Sequence, residues 1–89
     1  MIIVSGKLEI EEGKRDEFIA RSKDSIISAR TANGCIDFSV SPDPVDLNRV
    51  NIFEEWQTKS QLDEFRESGP SDDLFDLVKR FDVNERSIE

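Results

Sequence analysis

The 89-residue chain contains no histidine and no tyrosine, one cysteine, one tryptophan and three prolines. Without histidine there is no His-ligated zinc or haem, and no Ser-His or Cys-His nucleophilic pair. The lone Cys35 makes no intrachain disulfide, so nothing points to an oxidising compartment. Long apolar runs are missing too. The opening MIIVSGKLEI has no basic residues ahead of its apolar stretch and meets charge by Lys7 and Glu9, which fits neither a signal peptide nor a membrane span. A cytoplasmic location is the expectation. Positive charge is scarce: 12 Lys+Arg against 20 Asp+Glu leave a net charge of −8, which argues against nucleic acid and anionic membranes as partners. All of that excess lies beyond residue 34, where six basic side chains face fourteen acidic ones. It reads as a solvated acidic surface, with a basic partner as the alternative. The length allows one domain, residues 1–89, with a small core that a second copy would reinforce.

What is present is clear periodicity. Residues 2–11 alternate, with Val4, Gly6, Leu8 and Ile10 on one side and Ile3, Ser5, Lys7 and Glu9 on the other, as a strand does. From Lys14 to Ala32 the spacing becomes helical, with Phe18, Ile19, Ser22, Ile26 and Ala29 in one stripe and Arg15, Glu17, Arg21, Lys23, Asp24 and Arg30 toward water. Asn33-Gly34 supplies residues that tolerate the left-handed turn of a helix end. A second strand over 35–41 sets Ile36, Phe38 and Val40 against Cys35, Asp37, Ser39 and Ser41, and Pro42-Asp43-Pro44 turns the chain. A third strand over 49–56 sets Val50, Ile52, Glu54 and Trp56 against Arg49, Asn51, Phe53 and Glu55. Thr58 with Gln61 suggests a capping box for a short helix carrying Leu62 and Phe65. Ser68-Gly69-Pro70 breaks that helix, and Ser71, Asp72 and Asp73 open a further turn. Residues 81–88 alternate once more. The order β-α-β-β-α-β predicts an α+β, ferredoxin-like split βαβ fold: an antiparallel sheet with both helices on one face.

Asn33-Gly34-Cys35-Ile36-Asp37-Phe38, then Asp43-Pro44 with Asn48-Arg49, then Phe53-Glu54-Glu55-Trp56 running to Leu62, form an ordered set over essentially the whole chain. It resembles the antibiotic biosynthesis monooxygenase domain family, quinol monooxygenases included. The resemblance implies a homodimer whose sheets pack into a dimeric α/β barrel, with a cavity between sheet and helices in each subunit. It also implies an oxidoreductase that joins a small aromatic phenol or quinol to dioxygen with no metal, flavin or other cofactor. Other relatives degrade haem or isomerise a small sugar phosphate. The family often carries a histidine three residues after the leucine matching Leu62, and here that position is Phe65. Haem degradation loses its proximal ligand. A carboxylate base, or a non-catalytic ligand-binding homologue that keeps the fold, remains.

The residues matching the family point to a site. Glu54 and Trp56 are the catalytic candidates: a buried carboxylate is raised in pKa and suits a general base, and the indole N–H and ring suit an aromatic oxygen and its ring. The plainer alternatives are an ion pair of Glu54 with Arg86 or Arg49 or a dimer contact, and a core role for Trp56. Phe18, Phe38 and Phe65 are candidate walls of the substrate cavity, and Arg86 a candidate for binding an anionic oxygen or for a structural salt bridge. Arg49, Asn51, Phe53, Asp37 and Ser39 fall on the opposite face as interface candidates, and Cys35 is a small apolar filler.

Overall fold

The computed structural model describes residues 1–68 and 73–88. Alternation becomes four strands: β1 (Ile2–Ile10), β2 (Cys35–Pro42), β3 (Arg49–Trp56) and β4 (Val78–Ser87). They form one antiparallel sheet in the order β2-β3-β1-β4. Two helices, α1 (Arg15–Arg30) and α2 (Lys59–Ser68), and a 3₁₀ turn (Asp73–Leu77) complete the described chain. The α+β ferredoxin-like arrangement expected from the element order is therefore present. The break at Gly69-Pro70 and the cap at Ser71-Asp72 lie outside the described residues.

Register decides which side chains meet. Val4 lies opposite Glu54 on β3 and Glu85 on β4, and Leu8 lies opposite Val50 and Phe81. Glu54 is in turn opposite Phe38 on β2. The inner face so defined divides into two apolar clusters. Leu8, Ile10, Val50, Phe18 of α1 and Leu74 form one; Ile2, Val4, Trp56 and Leu62 of α2 form the other, with Phe38 and Phe65 packed against it. Fully burying each large apolar side chain contributes about 1.5–3 kcal/mol. The outer face carries Ser5, Lys7, Asn51, Asp82, Asn84 and Arg86, mostly polar and of both signs.

Helix α1 starts with Asp16 and Glu17 and ends with Arg30, the charge order its dipole favours. Its buried residues are Phe18, Ser22 and Ala29, all from the expected stripe. The helix ends at Thr31, whose hydroxyl donates to the Ser28 carbonyl at 3.0 Å, and the left-handed turn falls on Gly34 (φ 85°) without Asn33. A side chain at Gly34 would strike Gln61. In α2 the Gln61 N–H donates to Thr58 Oγ1 at 3.2 Å, so one arm of the capping box forms. The other does not, because Gln61 Oε1 is buried without a partner.

Three expectations are corrected. In β2 a bulge leaves Ile36 out of the pairing: Cys35 lies opposite Trp56 and Asp37 opposite Glu55, so Cys35 joins the inner cluster and Ile36 is exposed. Strand β4 starts at Val78 and not at 81. Arg15, expected toward water, turns back to hold the β2–β3 loop, donating to the carbonyls of Asp43 (3.0 Å) and Asp46 (2.8 Å).

Candidate functional site

Between the two clusters the inner face is hollow. A cavity of about 340 Å³ lies under α1, within the range of small-molecule sites. Its floor is Val4, Leu8, Ile52 and Val83 of the sheet, its roof Phe18, Ser22 and Ile26 of α1, and its polar groups include Glu54 and Arg66. The sequence makes this hollow in a definite way. Gly6 sits mid-strand between Ile52 and Val83 and adds no side chain to the inner face of the sheet.

Among the described residues Glu54 is the one carboxylate lining this cavity. Trp56, two residues along β3 and on the same face, donates its indole N–H to Glu54 Oε1 at 3.0 Å. Desolvation by the surrounding apolar side chains raises the Glu54 pKa above the usual carboxylate value. The indole hydrogen bond and Arg66 pull it back in part, and Glu85 pushes it up. Arg66 pairs with Glu85 at 3.1 Å, and Lys59 reaches the same carboxylate at 3.0 Å, so two cations of α2 lock onto β4 beside the site. They lower the Glu85 pKa while Glu85 and Asp63 raise that of Lys59.

The expected site residues separate into three groups. Glu54, Phe18 and Phe38 line the cavity. Trp56 is fully buried behind Glu54 and reaches the cavity only through its hydrogen bond. Phe65 packs between Trp56 (ring centroids 5.3 Å) and Phe38 (6.0 Å), and so stands behind Phe38 and does not itself line the cavity. Arg86 is not brought to them. It lies on the outer face, where it donates to Ser5 Oγ at 3.2 Å and edges a shallow polar depression of about 560 Å³ with Lys7, Arg49 and Asn84. That depression lacks apolar walls and is open to solvent.

The ion pairs imagined for Glu54 do not form. Arg49 instead donates to Asn51 Oδ1 (2.6 Å), and Asn51 donates to Asp43 Oδ1 (3.0 Å), tying the outer face to the β2–β3 loop. Cys35 has its thiol pKa raised by burial and by Glu54 and Asp37, which suits filler and not a nucleophile. Sequence reasoning missed Arg66, Phe75 and Phe81 as cavity residues. Phe81 was within reach, because it shares its parity on β4 with Val83 and Glu85.

A ferredoxin-like sheet with a carboxylate lining an apolar hollow is a candidate small-molecule site on an α+β scaffold. The chain belongs to the antibiotic biosynthesis monooxygenase family, whose sequence pattern matches residues 1–76. An uncharacterized protein of Synechocystis sp. is 36% identical over 62 residues, 70% of this chain and 42% of that protein. The chain thus spans less than half the length of that curated relative. Among solved structures, a conserved protein from Methanosarcina mazei Go1 matches with TM-score 0.82 at 23% identity, covering 99% of this chain and 92% of that one. A candidate antibiotic biosynthesis monooxygenase from Nitrosomonas europaea matches with TM-score 0.85 at 13% identity, over 98% and 97%. At such identities the structures share the fold. No described helix is long and apolar enough to cross a membrane.

Proposed function

We propose that this protein is a cofactor-independent monooxygenase acting on a small phenolic or quinol-type compound, with dioxygen as co-substrate. The observation that carries the reading is Glu54 held by Trp56 inside an apolar cavity, in a family named for monooxygenation. Glu54 takes the phenolic proton and the apolar walls exclude water from the resulting anion. The anion is electron-rich enough to reduce dioxygen itself. One oxygen atom joins the ring and the other leaves as water, so a quinol and dioxygen give a hydroxyquinone and water. Phe18, Phe38 and Phe65 shape the site around the ring, and Trp56 orients the base. The working unit is a homodimer of single-domain subunits in the cytoplasm.

Oxygen uptake with a panel of quinols and anthrones tests the reading, comparing wild type with Glu54→Gln. Uptake above buffer that falls at least about a hundredfold in the variant supports a general base at this position. No uptake across the panel overturns it. In that case the second reading applies, a ligand-binding homologue without catalysis, favoured by Phe65 filling the position where relatives often carry histidine.

A further inference from the structure

The cavity has two chemically different ends. Glu54 lies opposite Val4, with Arg66 near it, and Phe81 lies opposite Leu8. Four residues along β1 and two inter-strand steps separate Glu54 from Phe81, roughly 16 Å across the sheet. At the far end Phe75 and Phe81 line the same cavity. Their rings pack on each other at 5.3 Å between centroids, yet the residues stay 65% and 56% exposed. Two phenyl rings left in water beside an apolar hollow retain unburied area that a ligand reaching the mouth would cover.

We propose that Phe75 and Phe81 form an aromatic mouth that selects elongated amphipathic ligands: a hydroxyaryl head at Glu54 and an apolar tail lying along the exposed faces of the two packed phenyl rings. This rests on the proposed function for the head, and adds the tail and the two residues that read it. The occupant is inferred from the polarity of the cavity. Glu54 and Arg66, with Phe38 opposite the acid, mark one end, the floor between is the aliphatic Val4, Leu8, Ile52 and Val83, and the exposed Phe75 and Phe81 mark the other. A single-ring phenol would fill the inner end and leave both phenylalanines exposed.

The test is a calorimetric binding series of phenol, 4-ethylphenol, 4-butylphenol, 4-hexylphenol and 4-octylphenol. The expected result in wild type is a dissociation constant that falls with each added methylene, by up to about fourfold per step. Phe75→Ser and Phe81→Thr, both at exposed positions, should flatten the dependence on the longer tails and weaken octylphenol far more than phenol. Flat dependence in wild type, or a dependence that both variants keep, overturns the inference. So does a flat series with a change in sedimentation mass in the variants, which would make the pair a subunit contact. The two readings fail separately. Tail dependence that Glu54→Gln leaves intact, with no oxygen uptake, removes the proposed chemistry and retains the mouth. Oxygen uptake on single-ring quinols with no tail dependence does the reverse.

Discussion

Trp56 donates its indole N–H to Glu54 Oε1 at 3.0 Å, from two residues further along the same face of β3. One carboxylate oxygen is thereby engaged by a fully buried ring, and the carboxylate keeps only part of the desolvation that raises its pKa. Because burial disfavours the charged form, folding favours the protonated acid. The folded state then holds more protons than the unfolded chain just above the usual carboxylate range, so stability falls as pH rises through the folded-state pKa. Glu54→Gln should therefore raise the melting temperature at pH 7 relative to wild type, with the difference shrinking as the pH drops below the usual carboxylate value. Thermal melts across pH 4–8 check this. Trp56→Phe should cost about 2 kcal/mol in denaturant unfolding, as expected for losing a hydrogen bond to a charged group. It should also move the acid limb of any pH–activity profile upward.

The Arg66–Glu85 pair tunes the same acid from α2 and β4. Arg66 lowers the Glu54 pKa and Glu85 raises it. Glu85→Gln removes the repulsive charge and releases Arg66, so the acid limb of oxygen uptake should shift to lower pH. Arg66→Gln should shift it to higher pH. Identical limbs in both variants would show that neither charge is felt at the site.

Gly6 carries a backbone constraint that no other residue type meets. Its φ is 150°, and a Cβ there would run into the Asp82 carbonyl oxygen and lie 2.7 Å from Val83 Cα. Both obstacles are backbone of the neighbouring strand, so the sheet itself would have to part. Gly6→Ala should cost about 3–5 kcal/mol from strain and overpacking together. That lowers the melting temperature by more than about 12 °C in a domain of this size. Calorimetry gives the number directly.

Asp43 organises the β2–β3 loop. Its carboxylate accepts the N–H groups of Asp46 (2.9 Å) and Val45 (3.1 Å) and the Asn51 amide, and these bonds hold its pKa down to about 2. A lowered carboxylate pKa contributes stability above the unfolded value and loses it as pH falls toward the folded one. Wild type should therefore lose stability between about pH 4 and pH 2, and Asp43→Asn should flatten that decline, with lower stability at neutral pH. Urea midpoints at pH 2, 3, 4 and 7 separate the two curves.

The proposed homodimer has a direct measurement. Sedimentation at micromolar concentration should give twice the 10.2 kDa chain mass. A mass of one chain would refute it.

Most of the architecture was legible because two of the four strands, β1 and β3, keep strict alternation and β4 keeps it from Arg80 onward, and period two assigns each residue to a face as soon as one is known to be buried. Glu54 beside Trp56 on the inner face follows from that rule alone. It also sends Arg86 outward with Asn84 and Asp82, although its charge made it an attractive ligand-binding candidate. Cys35 escaped the same rule, since a bulge shifts parity by one and carries no reliable signature in the residues themselves. Arg66 reaches Glu85 across 19 residues of sequence, and only the packing of α2 on the sheet sets that distance. Arg15 looked solvent-facing by helical spacing, but the first turn of α1 abuts the β2–β3 loop.

The hollow between the two clusters has a mechanical consequence. Phe18 of α1 packs in one cluster and Leu62 of α2 in the other, and Val83 of the sheet packs against both. The proposed ligand, seated against Val4, Leu8 and Val83, would touch residues of both clusters and so tie the two helices together through the sheet. Occupancy would then be registered far from the cavity as slower amide exchange in both helices, growing with ligand concentration as binding to the native state requires.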